Sequence, residues 1–439
     1  MLSQIVSRRA VRTTWIAWAM FLAAACAVLV RQGERRPANN AYARGASRWL
    51  AGEFLYDQGG SGFIYLPQSA ILHVPFLIFP KPLQHILWRT LTIGLFAAGV
   101  YRLCRLAEEG RGVEFFPLVS MLVLPKSWTC AINGQATPAM AGLSMLALGE
   151  IYQRRWWRAA GYLIAALTFK PLAIVLVLLV AALYRPMRGR VALGLAAFAL
   201  APFLTQNAGY VVEQYRGIAG MLDRAVYLGL APEWAQLISL ASLVGIDFSP
   251  DWQMAIRAAG AAATLGLCLR SCRTADAGRG VGYRGFGPHA QSRKPIVPGS
   301  RTLIYVYALA TCYLLLFNPR TENNSYMILS PVLGVFGIKA LLFERRPMRA
   351  GLLLGAAIAI VAGHKLCQLV TPHAGFVWLC PLVCLLFAVD LVCESRRNAG
   401  AAETDQTKLL SNGLPVRTDP PHPGAISSNV IFSSTESRN

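Results

Sequence analysis

The sequence predicts an all-α, polytopic integral membrane protein. Over 439 residues it is 55% hydrophobic and only 14% charged, whereas soluble domains carry about 25% charged residues. Its mean hydropathy is +0.44, and apolar runs near the ~20 residues that cross hydrocarbon recur along the chain. The basic residues gather in short stretches between those runs, which is how a membrane protein fixes its orientation.

Taken in order, Arg8, Arg9 and Arg12 precede the apolar run Thr14–Val30. No small-x-small cleavage site follows, so this reads as an uncleaved first helix with its N-terminus inside. A long first outer loop, Arg31–Leu66, then carries Tyr42, Trp49, Tyr56, Phe63 and Tyr65. These aromatics suit an interfacial belt or a sugar platform. Ala41–Phe54 has helical character, and Gly59–Gly62 breaks it. Gln68–Phe79, closed by Pro80 and Pro82, is short for a span and reads as interfacial or re-entrant.

Eleven further runs complete about twelve crossings. They are His85–Leu103, Val113–Ser127, Ala136–Tyr152, Trp157–Phe169, Leu172–Tyr184 and Val191–Thr205, then Met254–Arg270, Leu303–Phe317, Tyr326–Leu342, Gly351–Val370 and Phe376–Val392. Trp157–Phe169 and Leu172–Tyr184 share a turn at Lys170-Pro171, one long tilted helix being the alternative. The clusters Arg154/Arg155/Arg158 and Arg185/Arg188/Arg190 are placed on the cytoplasmic side. Counting Gln68–Phe79 as a full span would put both outside. Between Gln206 and Asp251 lies a second outer loop, whose apolar part Gln236–Gly245 reads as interfacial. Residues 1–394 form one membrane domain, and 395–439, rich in Ser, Asn, Pro and charge, read as a disordered cytoplasmic tail. Both termini are then cytoplasmic.

A net charge of +21 raises nucleic acid as a partner. With no basic domain bearing stacking aromatics, the charge is assigned to orientation and to anionic membrane lipids instead. The ten cysteines show no CxxC pair and no cluster with histidine, and nothing in the sequence calls for a metal or another cofactor.

This topology brings four polar stretches to the outer face: the first loop, Asn133-Gly134-Gln135, Lys170-Pro171 and Asn318–Asn324. Polar groups bordering apolar helices are costly, and their convergence marks a candidate site. Lys170 and Arg320 suit an anionic headgroup, the lysine as a point charge and the arginine as a fork. Asn133, Gln135 and Asn324 suit hydroxyls. The plainer alternatives are a snorkelling Lys170, a helix start at Asn133-Gly134-Gln135, and a local Arg320–Glu322 ion pair.

These residues carry a resemblance. The chain resembles glycosyltransferase family 87, the polyprenol-phosphate-mannose-dependent mannosyltransferases of the GT-C membrane fold, over roughly Ala38 to Leu342. Asn133-Gly134-Gln135 before a small, Leu-rich helix resembles the family's NGQ motif, and Ala166–Phe169 with Lys170-Pro171 its Lys-Pro motif. Tyr42 to Tyr56 and Tyr65-Leu66-Pro67 resemble its first outer loop. Pro319 and Tyr326 to Leu329 resemble its later P…HYxxL segment. The resemblance implies transfer of a hexose such as mannose from a polyprenyl-phosphate sugar to a glycan or glycolipid acceptor, at the outer face of the plasma membrane. Donor and acceptor would contact Asn133, Gln135, Lys170, Arg320, Glu322 and Asn324.

The family's loop Asp, which takes the acceptor proton, falls here on Ala38, Asn39 or Asn40, and an amide cannot do that work. Its later His falls on Asn324 or Ser325. Asp57 and Glu53 are the expected substitutes, Asp57 first, with Glu322 a third carboxylate nearby. A protein that binds or transports lipid-linked sugars without reacting them is the alternative function.

Overall fold

The protein is seen in a computed structural model that describes residues 2–32, 38–56, 63–108, 110, 113–227, 234–280, 299–319, 321–370 and 378–411. The described residues are mostly helical, with no strand and a lone antiparallel bridge between Trp234 and Glu322. The all-α reading holds.

The helices begin with α1 (Leu2–Gln32), α2 (Ala38–Ala51) and α3 (Pro67–His73), which tightens into a 3-10 turn to Ile78. Next come α4 (Lys81–Glu108), α5 (Phe115–Asn133), α6 (Thr137–Tyr152) and α7 (Trp156–Phe169). A 3-10 turn, Pro171–Ala173, leads into α8 (Ile174–Leu183), followed by α9 (Arg185–Leu200), α10 (Ala208–Tyr227) and α11 (Leu237–Leu243). The last five are α12 (Pro250–Gly280), α13 (Ser300–Phe317), α14 (Ser330–Leu342), α15 (Pro347–Val370) and α16 (Leu379–Ser411).

Six of the twelve expected runs are helices long and apolar enough to cross a membrane: Arg8–Arg31, Lys81–Glu108, Phe115–Asn133, Arg185–Leu204, Ser300–Phe317 and Asn323–Leu342. α6 and α7 have 16 and 14 residues. At 1.5 Å per residue they reach only about 24 and 21 Å, short of the ~30 Å hydrocarbon core. The run Gln68–Phe79 falls on the short apolar helix Pro67–Ile78. The break at Lys170 is physical. Pro171 disfavours helical backbone in the residue before it, and Lys170 is extended at φ −151°, ψ 131°.

The helical bundle is built on α4 and α6, which touch backbone to backbone. A Cβ at Gly142 would sit 2.2 Å from the Leu95 carbonyl oxygen, and one at Gly99 would sit 2.5 Å from that of Gly142. Small residues permit this approach, and buried apolar side chains such as Phe96, Val100, Met145 and Leu148 fill its flanks. α7 packs on α6, α9 on α7, and α5 between α1 and α14. At the start of α15, Arg349 binds Glu344 at 2.8 Å, Asp390 at 2.8 Å and Glu394 at 3.2 Å, tying α15 to α16.

Two expectations are corrected here. The aromatics of the first loop form neither a lipid-facing belt nor an open platform, because α2 folds back and buries them. Tyr42, Trp49, Tyr56 and Phe63 are all 3% exposed or less, and Tyr42 stacks on Tyr65 with centroids 4.2 Å apart. The last helix, expected to end at Val392, runs on to Ser411.

Candidate active site

The site grows from the end of α5. Gly134 closes that helix in the left-handed region, φ 60° and ψ 38°, a conformation glycine adopts without the strain a side chain brings. The Gln135 N–H then reaches back to the Cys130 carbonyl at 3.1 Å. Asn133-Gly134-Gln135 is therefore the joint between α5 and α6, rather than only a helix start.

α4 clamps this joint. Arg89, fully buried, donates from Nε to the Ala131 carbonyl at 2.9 Å and from Nη2 to the Ile132 carbonyl, and its Nη1 reaches the His85 carbonyl at 3.0 Å. A cation that satisfies the last carbonyls of a helix also meets the negative end of its dipole. Trp88 Nε1 donates to the Gly134 carbonyl at 2.8 Å. Asn39, also fully buried, lies against Gly134 and donates from Nδ2 to His85 Nδ1 at 2.8 Å. One of the three positions on which the family carboxylate falls thus carries an amide engaged in structure.

The clamp aims Gln135. Its Nε2 donates to Glu322 Oε2 at 2.8 Å, and its Oε1 accepts from the Cys130 thiol at 3.0 Å. Glu322 is held from the other side. Its backbone bridges to Trp234, the Ala235 N–H donates to the Thr321 carbonyl at 2.6 Å, and the Tyr326 hydroxyl donates to the Ala235 carbonyl at 3.0 Å. The Asn324 carbonyl faces the Cys130 thiol at 3.4 Å. Asn323 Oδ1 accepts from Lys126 Nζ at 3.3 Å and from the Cys380 thiol at 2.9 Å.

Lys170 enters from the break after α7 and donates from Nζ to Thr137 Oγ1 at 2.8 Å, at the first residue of α6. α2 and α3 dock on the same break. The Tyr42 hydroxyl faces the Phe169 carbonyl at 3.4 Å, and Ser69 Oγ donates to the Thr168 carbonyl at 2.6 Å. Burial, with Tyr65 and Glu322 nearby, pushes the Tyr42 hydroxyl well above the usual phenol range, so it stays a donor. Behind it, His73 is buried among Phe76, Trp88 and Tyr42. Burial first, and His85 second, lower its pKa to about 4.

The structure thus brings Gln135, Glu322, Asn324 and Lys170 together, with Asn133 half-buried at the end of α5 beside them. Cys130 is the common neighbour, within electrostatic reach of Lys170, Lys126 and Glu322. Glu53 is not in this group. Its side chain is 66% exposed, 4.0 Å from Arg48, and its carbonyl accepts from Tyr210. Asp57 and Arg320 lie outside the described residues. Sequence reasoning missed Arg89, Lys126 and His85. The signal for Lys126 was a lone cation in an apolar run, four residues before Cys130 and so on its face of α5.

The family model for glycosyltransferase family 87 matches residues 63–287, half of the chain. No curated protein matches it. The match takes in Tyr65, the Asn133-Gly134-Gln135 joint and Lys170, and it ends before the segment that carries Glu322. A polytopic helical chain with these motifs gathered at one joint is a membrane glycosyltransferase, and it belongs to glycosyltransferase family 87.

Proposed function

We propose that this protein transfers a hexose, mannose in the first instance, from a polyprenyl-phosphate sugar to a glycan or glycolipid acceptor on the extracytoplasmic side of the plasma membrane. The observation that carries the reading is the Lys170 ammonium on Thr137, at the start of α6. A helix N-terminus is already electropositive, so a cation there is unfavourable by about 0.3–1 kcal/mol until an anion joins them. A phosphodiester fits that place. An apolar crevice starts one turn away, lined by Met140, Leu172, Val175, Leu176, Leu314 and Ile328.

In this reading Lys170 holds the donor phosphate and stabilises the charge that grows on it as the sugar leaves. Gln135, aimed by its own joint, orients sugar hydroxyls, and Asn133 and Asn324 border the same space. Arg320, two residues before Glu322, would add a second phosphate contact. The chain's own groups suffice for these roles, with no metal or further cofactor. The orientation is supported by charge: α6 runs from Thr137 to Tyr152, and Arg154, Arg155 and Arg158 follow at its far end. Both termini are then cytoplasmic.

The test is transfer of radiolabelled mannose from polyprenyl-phosphate mannose into membrane extract by purified, reconstituted protein. Wild type transfers, and Lys170→Ala falls by at least ~100-fold, the scale of one lost electrostatic contact to developing charge. An unaffected Lys170→Ala removes the phosphate assignment. If wild type transfers none of several polyprenyl-linked sugars, binding without reaction replaces transfer.

A further inference from the structure

Within that reading, the reaction still lacks a proton acceptor. The acceptor hydroxyl must lose its proton as it attacks, and the amide of Asn39 cannot receive it. The histidines nearby are shut in, His73 fully buried against Phe76 and Trp88, and His85 2% exposed and bonded to Asn39. Glu53 faces Arg48 and Tyr210 instead.

We propose that Glu322 is the general base of this enzyme. Three features of its placement support the assignment. First, the carboxylate is half-buried, reachable by a substrate yet partly removed from water. Second, its position is fixed. The bridge to Trp234 and the Ser325 N–H on the Glu322 carbonyl at 2.9 Å pin its backbone, and Gln135 Nε2 holds Oε2. Third, the group that holds it is a neutral amide. Among the described residues, Lys126 and Lys170 lie in its neighbourhood around Cys130, yet neither forms an ion pair with it. A close cation would neutralise the carboxylate, whereas the neutral amide orients it and leaves its charge in place.

The step balances without another reactant. The acceptor oxygen forms a bond to the anomeric carbon of the donor sugar while the bond from that carbon to the phosphate oxygen breaks. The bonding pair leaves with the polyprenyl phosphate, beside Lys170. The acceptor's proton passes to a Glu322 oxygen and is released to water before the next turnover. The two halves of the chemistry thus meet at the start of α6, Gln135 Nε2 placing the base and Lys170 on Thr137 placing the donor.

The experiment uses the full-length protein in proteoliposomes with polyprenyl-phosphate mannose and the extract acceptor. Glu322→Gln keeps the shape and is expected to lose ~100-fold or more in kcat, the usual worth of a positioned base, with donor KM within about twofold of wild type. Glu322→Asp is expected to recover part of the loss. Formate, added to Glu322→Ala, restores activity in proportion to its concentration. The alanine variant plus formate also separates lost chemistry from lost folding, because a misfolded enzyme does not respond. An active Glu322→Gln in a preparation where Lys170→Ala is dead overturns the base and leaves the donor reading standing. Loss in Asp57→Asn beside an active Glu322→Gln moves the base to the first loop. Wild type inactive on every polyprenyl donor overturns both.

Discussion

Arg89 offers the sharpest test of how this site is held. Replacing it with Met removes the Arg89 donors to the Ala131 carbonyl, which keeps only a longer bond from the Gly134 N–H at 3.3 Å, and to the half-buried Ile132 carbonyl. A buried acceptor left without a donor costs about 1–3 kcal/mol. The weakened Ala131 contact and the half-buried Ile132 carbonyl together give about 1–3 kcal/mol, from which the relief of no longer burying a cation subtracts a part. A net loss of about 1–2 kcal/mol follows. Arg89→Lys separates geometry from charge. A single ammonium cannot fork across two successive carbonyls, so the lysine variant is expected to be as unstable as Met. Seven buried cysteines make a thiol-reactive dye a suitable reporter of thermal unfolding in detergent. Both variants should unfold several degrees below wild type and lose transfer, since Gln135 loses its aim. A lysine variant as stable as wild type would refute the fork, and a stable methionine variant would refute the clamp.

Two other outcomes follow from the packing. Gly142→Ala drives a Cβ to 2.2 Å from the Leu95 carbonyl oxygen, which is backbone and cannot swing aside. It should cost about 1–3 kcal/mol or more as overpacking, read in the same unfolding assay, whereas Gly161→Ala on α7, with open space around it, should be near neutral or stabilising. His73 is neutral in the fold, with a pKa lowered from 6.5 to about 4, so its contribution is complete above pH 6.5 and disappears as pH falls towards 4. About 3 kcal/mol is at stake across that window, some 2 kcal/mol of it gone by pH 5. His73→Phe should flatten the acid side of the stability curve between pH 7.5 and pH 5. An unchanged slope would assign the acid loss to another group.

Much of this site was legible in the chain. Asn133-Gly134-Gln135 and Lys170-Pro171 announced themselves as polar interruptions of apolar sequence, and the folded contacts run through them, Gln135 to Glu322 and Lys170 to Thr137. Pro171 told where α7 must stop, because its ring acts on the residue before it. Arg89 and Lys126 escaped because a lone cation in an apolar run also fits snorkelling to the interface. What distinguishes them is the carbonyl or amide they meet from another helix, and no periodicity encodes that partner. The aromatics of the first loop were misplaced for a related reason. Tyr, Trp and Phe favour interfaces and cores alike, and only the docking of α2 on the break at Lys170 decides between them. Glu322 looked like half of a local ion pair in sequence, and across 187 positions it meets Gln135.

The contact between Gly99 and Gly142 has a mechanical consequence. α4 carries Arg89 and Trp88 ten or eleven residues from Gly99, roughly 15 Å along the helix. α6 begins with Thr137, five residues from Gly142. With bare backbone pressed together at that crossing, the two helices behave as the arms of callipers whose pivot has no play. A small wedge at the pivot opens the tips, and the tips are where the turn and the lysine are set. Residues deep in the apolar bundle, remote from any sugar, therefore set the gap in which the sugar reacts.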